Sequence, residues 1–262
     1  MTDALEWPRR HGSTLDTTTI AWILASGLAT GIGGLVLLAV PRATERALDL
    51  MSGFTAGVML AATSFSLLIP ALERGTIIEV VAGLGLGGGC FALLDEVIPH
   101  VHLRFAERGH PLPSQESRRS TLLLSALTLH NIPEGMAVGL AFAAGGKDLG
   151  IPLALAIGVQ NIPEGFAAAA PLPRMGSTTR FAALVAAATG AVEPPAAIIS
   201  FVLFDTAEAV LPLGLAFAAG AMLYVVVDEL IPESHARGNE RLASMGFLAG
   251  FALMLTLDNL FG

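Results

Sequence analysis

Cysteine and charge are both scarce in this chain. Its single cysteine, Cys90, excludes an intramolecular disulfide and any cysteine-only metal cluster, and reads as a small apolar helix residue. Charged residues make up 14% of the 262 positions, where a soluble domain carries about 25%. There is no basic patch of the kind that binds nucleic acid. A Walker A lysine motif is missing, which excludes direct ATP drive. The metallohydrolase signature His-Glu-x-x-His is missing as well. Arg9 and Arg10 precede the first apolar run as they would in a signal peptide, but that run is too long and lacks an Ala-x-Ala site, so it reads as a membrane helix.

Apolar residues are plentiful. They account for 53% of the chain, and the mean hydropathy is +0.69, the composition of a polytopic membrane protein. About 20 apolar residues suffice to cross a bilayer as a helix. Eight runs meet that length, at about 19–40, 48–70, 77–99, 120–144, 150–170, 180–204, 212–231 and 241–261. They predict an all-α membrane protein of one polytopic domain over 1–262. The loops 41–47, 100–119, 171–180 and 232–241 hold ten arginines, against four basic residues on the other side. The excess places those loops in the cytoplasm and both termini outside. The longest of them, 100–119, carries His100, His102 and His110.

Small residues recur four apart at Gly27/Gly31, Gly53/Gly57 and Gly135/Gly139, spacing that lets helices approach closely in lipid. Gly83-x-Gly85-x-x-Gly88 matches the dinucleotide fingerprint in letters. It lies inside an apolar run with no strand before it, so it reads as helix packing.

One hexapeptide occurs twice. His130-Asn131-Ile132-Pro133-Glu134-Gly135 is followed by Gln160-Asn161-Ile162-Pro163-Glu164-Gly165, each in the middle of an apolar run. On a helix of about 3.6 residues per turn, His130, Asn131 and Glu134 fall within one arc, and Gln160, Asn161 and Glu164 repeat it. Consecutive spans are antiparallel, so the two polar faces can meet at mid-membrane. Pro133 and Pro163 lack an N–H and free a carbonyl one turn earlier, which in lipid needs a neighbouring helix, water or a cation. Glu193, followed by Pro194 and Pro195, adds a third mid-span carboxylate. Interhelical hydrogen bonds could account for the amides but poorly for three glutamates, which repel one another unless a cation or protons intervene. Imidazole with carboxylate suits zinc and its first-row neighbours. Met59, at the midpoint of the second run, is core filler or a soft ligand.

A second echo joins the segment holding Asp95, His100 and His102 to the segment holding Asp228, Glu229, Glu233 and His235. Both emerge on the cytoplasmic side, where they read as an exit-side metal cluster or as a solvated charged collar.

With these motifs the chain resembles the ZIP (Zrt/Irt-like) divalent metal transporter family, on its bacterial side, across essentially all eight spans. The resemblance implies eight helices in a 3+2+3 arrangement with inverted repeats, a homodimer, and a bacterial inner-membrane location. It implies import of zinc, or of cadmium, iron, manganese or cobalt, as cargo and with no catalytic cofactor. It marks His130, Asn131, Glu134, Gln160, Asn161, Glu164 and Glu193 as the transport site and matches Met59 to a thioether ligand position. Some relatives carry Asp where this chain has Asn161, so a second metal position has less negative charge here.

Alternating access around a midplane site with broken helices is the expected mechanism. Two other readings compete: a carrier using the glutamates as proton relays, and an intramembrane metallohydrolase, for which one His and one Glu are too few ligands.

Overall fold

The computed structural model of this chain describes residues 15–40, 44–107, 115–170, 172–205 and 208–261. All its regular elements are helical, with no strand among the described residues. In chain order the α-helices are α1 Thr17–Ala39, α2 Glu45–Ala62, α3 Ile69–Arg74, α4 Ile77–Glu107, α5 Gln115–Ala169, α6 Thr179–Gly190, α7 Glu193–Asp205, α8 Leu211–Val225, α9 Ile231–His235 and α10 Glu240–Phe261. Side-chain oxygens of Asp16, Thr44 and Thr178 cap the first turns of α1, α2 and α6, satisfying backbone donors that the helix itself leaves free.

Seven helical stretches among the described residues are long and apolar enough to cross a membrane, and the chain is a multi-pass membrane protein. One of them, Thr128–Ala169, has 42 residues. Drawn straight it would measure about 63 Å at about 1.5 Å per residue, twice the ~30 Å hydrocarbon core. It is not straight. Gly146 sits inside it with φ 59° and ψ −139°, a left-handed conformation that glycine adopts without a Cβ penalty. Glu134 and Gln160, 26 positions apart, hydrogen-bond at 2.8 Å. On one unbroken helix they would be about 39 Å apart. The chain therefore reverses at Gly146, and the two motif-bearing halves of α5 run back along each other.

The other expected runs shift in informative ways. Residues 100–107 of the expected loop 100–119 lie on α4, and 115–119 lie on α5. The run 180–204 is broken at 191–192, between α6 and α7. Pro194 and Pro195 explain the break, since proline fits the first turn of a helix but not its interior.

The stretches α2–α3 and α8–α9 each contain a π-helical turn, Thr63–Leu68 and Val226–Leu230. Pro70 and Pro232 follow them and remove the donor that would continue the α pattern. Ile69 N instead reaches Ser64 O, and Ile231 N reaches Val226 O, five residues back.

The helices divide into two packed groups. In one, α1, α6 and α7 surround α5; in the other, α2 packs on α10 and α9, and α4 on α8. The groups meet where α5 crosses α2 and α8. Glycine makes the closest crossings possible. A Cβ at Gly53 or Gly57 would overlap the carbonyl oxygens of Ala243 or Phe247 on α10, and one at Gly135 or Gly139 those of Glu193 or Ala197. Gly27 and Gly31 face Pro194 and Ala187. The fingerprint-like glycines lie on α4 without a preceding strand, as helix packing requires; Gly83 abuts Leu213 O, while Gly85 touches nothing. Leu28 and Leu35 on α1, Ile78 and Val81 on α4, and Leu248 and Leu260 on α10 are exposed, the surface that lipid covers. Cys90 is also on that exposed surface of α4.

Candidate metal centre

His130, Asn131, Glu134, Gln160, Asn161, Glu164 and Glu193 are all buried, none more than 8% exposed. Each of these seven polar groups forfeits water in a helix interior, and such burial is costly unless partners are supplied. Their partners divide the set into three parts.

The first part is fully satisfied. Asn161 Nδ2 donates to Ser26 O at 2.9 Å and to Glu193 Oε1 and Oε2 at 2.8 and 2.9 Å. The Thr30 hydroxyl adds a bond to Glu193 Oε1 at 3.3 Å. Glu193 can be reached because it opens α7 at the break beside Pro194, within the apolar stretch Thr179–Phe204 rather than at its end.

The second part is short of partners. Gln160 Nε2 donates to Glu134 Oε1 at 2.8 Å, which ties the two copies of the hexapeptide together. Asn131 Oδ1 and Nδ2, Glu134 Oε2, Gln160 Oε1 and Glu164 Oε2 are buried and make no hydrogen bond. Four of these five atoms are oxygens, on side chains drawn from both motifs. Buried polar groups are otherwise almost always paired, so an unpaired oxygen set is what a cation needs. Glu134 and Glu164 repel each other electrostatically, and a cation between them would turn that cost into attraction.

The third part faces the other helix group. His130 Nε2 lies 2.6 Å from Glu229 Oε1, which projects from the π turn before α9. Glu164 is within electrostatic reach of His130, Glu229 and Glu233. The Thr55 hydroxyl on α2 contacts Gln160 O at 3.5 Å. Met59, one turn further along α2, is fully buried in the same apolar cluster as Leu129 and Ile157, and its carbonyl accepts from the Thr63 hydroxyl.

The exit-side residues whose side chains are described, Asp228, Glu229, Glu233 and His235, are not gathered into one cluster. Glu229 turns inward to His130, whereas Asp228 is exposed. Glu233 bonds Arg237 Nη2 at 2.8 Å. His235 Nδ1 stays beside the Ser234 hydroxyl and Ile231 O of its own helix. Asp95, His100 and His102 lie on α4, with side chains outside the described residues. Among the described residues, no three His, Cys, Asp or Glu side chains stand close enough to share an ion.

Several contributors were not marked by motif. Ser26, Thr30 and Thr55 appear in the sequence only as hydroxyls in apolar runs.

Comparison with known proteins identifies the family. The family model for ZIP Zinc transporter matches residues 106–258. The chain is 42% identical to Zinc transporter GufA of Myxococcus xanthus, over 90% of this chain and 95% of that protein. It is 41% identical to Zinc transporter ZIPB of Bordetella bronchiseptica, over 89% and 78% respectively. It is also 32% identical to human Zinc transporter ZIP11, over 87% and 93%. With a family model spanning more than half of its length and relatives of 42% and 41% identity covered over 95% and 78% of theirs, this chain belongs to the ZIP zinc transporter family.

Proposed function

We propose that this protein carries divalent transition metal ions, zinc foremost, across the bacterial inner membrane into the cytoplasm. The observation that carries the reading is the set of buried, unpartnered oxygens on Glu134, Gln160, Glu164 and Asn131. Two carboxylates and two amides offer oxygen ligands, His130 offers a borderline nitrogen, and Met59 a soft sulfur. That mixture suits zinc and neighbouring metals better than magnesium or calcium. Cadmium, iron, manganese and cobalt are the other candidate cargoes.

The path follows from the placement of charge. An ion reaching the midplane meets Glu134 and Glu164, and His130 stands between that pair and Glu229. Moving on, it passes to Glu229 and then toward Glu233, with Asp228, His235 and the α4 residues Asp95, His100 and His102 as candidates at the cytoplasmic mouth. The family names given to its relatives support zinc as cargo. Eight crossings, counted with the α5 hairpin as two, would keep both termini on one side of the membrane, the arginine excess of the loops supports the outer side, and a 3+2+3 arrangement in a homodimer is the assembly that accompanies them. Movement of the α1/α5/α6/α7 group against the other would give alternating access.

Uptake of radioactive zinc into proteoliposomes tests the proposal, with wild type beside His130→Ala and Glu164→Ala. Saturable uptake by wild type, reduced at least tenfold in both variants, is expected. A correctly inserted wild type that takes up neither zinc, manganese nor iron would overturn it and favour a proton-relay carrier.

A further inference from the structure

We infer that the mid-membrane centre holds one ion per chain, because the Asn161 amide already occupies both oxygens that Glu193 would offer to a second, and Glu193 is a positioning residue rather than a ligand. The inference rests on the proposed metal-carrier function and concerns how its site is filled. An amide nitrogen has two hydrogens. One of Asn161's goes to Ser26 O, 2.9 Å away, and the other is shared between both oxygens of Glu193, at 2.8 and 2.9 Å. The Thr30 hydroxyl occupies another lone pair of Glu193 Oε1. A cation bridging Glu193 would have to take the place of the Asn161 nitrogen and leave Ser26 O without its partner.

The neighbouring oxygens show the opposite condition. Glu134 Oε2, Gln160 Oε1, Glu164 Oε2 and Asn131 Oδ1 are buried and unpaired. The ion belongs on that side, with the Asn161–Glu193 bond closing the other. The bond also has a structural task, since it ties α5 to the broken start of α7, where Gly135 already lies against Glu193 O with no room for a Cβ.

Asn161→Asp converts this attraction into repulsion between two buried carboxylates in contact, which a cation relieves. The variant creates the second position that wild type lacks.

Zinc bound per chain, measured by equilibrium dialysis with mass-spectrometric metal counting at pH 8, tests the inference on purified full-length protein. Glu134→Ala should bind one ion fewer than wild type, and Asn161→Asp one more. Glu193→Gln should bind as many ions as wild type, with affinity weakened several-fold because the support behind the site is loosened. Loss of an ion in Glu193→Gln, or a wild type that already binds as many as Asn161→Asp, overturns the single-ion centre while leaving zinc transport intact. Equal counts in wild type and Glu134→Ala would instead remove the metal-carrier reading itself. If Asn161→Asp does not fold, the Glu193→Gln count still decides.

Discussion

The imidazole of His130 and the carboxylate of Glu229 stand 2.6 Å apart across the junction of the two helix groups. His130 comes from the first hexapeptide on α5, and Glu229 from the π turn ahead of α9. Such a pair holds the histidine away from the glutamates of its own helix until a metal competes for it. Zinc must break this ion pair to take the imidazole nitrogen, so releasing His130 should tighten zinc binding by roughly tenfold, about 1.4 kcal/mol. Glu229→Gln is expected to lower the dissociation constant by that factor and to slow turnover, because onward transfer loses its acceptor. Calorimetric titration and initial uptake rates measure both. Weaker binding in Glu229→Gln would show that Glu229 is a ligand at the resting site instead.

Asp49 is fully buried near the start of α2 and receives Arg237 Nη1 and Asn239 Nδ2, each at 2.9 Å. Arg237 also holds Glu233. Burial works against the guanidinium's charge, but its bonds to Glu233 and Asp49 outweigh that and hold it above the usual arginine range. Removing one partner of a buried pair costs about 3–5 kcal/mol, somewhat less here because Arg237 is partly exposed. Arg237→Met should lower the melting temperature in detergent clearly, and adding Asp49→Asn should recover much of the loss. A double variant destabilised by the sum of the losses of Arg237→Met and Asp49→Asn would mean that the pair carries no coupling.

Asp16 caps α1 through Thr19 N and pairs with Lys147, next to the Gly146 reversal. The Lys147 bond, followed by the Thr19 N–H, draws its carboxyl down from 3.8 to about 2. A carboxyl lowered on folding stabilises the protein above its unfolded value and loses that contribution as pH falls through the folded one. Wild type should therefore melt above Asp16→Asn at neutral pH, with the gap closing between about pH 4 and about pH 2. A gap independent of pH across that range would contradict the assignment.

Much of this molecule was legible in its sequence, because lipid leaves few options. Long apolar runs must be helices, and an ionisable residue within one must have a purpose. The hexapeptides at His130 and Gln160, with Glu193 beyond them, were visible for that reason, and all seven polar residues are buried together. The backbone adjustments were harder to read. Pro70 and Pro232 indicate a lost donor but do not say whether the helix kinks or widens into a π turn. Pro194 and Pro195 mark a break only when α6 is known to pack closely enough to hold the other end. Arg237 and Asp49 are 188 positions apart, and no periodicity links them. The exit-side echo carries no orientation of its own: adjacent acids in its second copy point differently, Glu229 inward and Asp228 outward.

X-ray absorption at the zinc edge, recorded on the loaded protein, tests the central claim most directly. An ion held between the two hexapeptides should show nitrogen and oxygen neighbours with the multiple scattering of one imidazole. That imidazole signal should vanish in His130→Ala, and the oxygen shell should change in Glu164→Ala. Identical spectra in wild type and both variants would place the metal elsewhere and contradict the account.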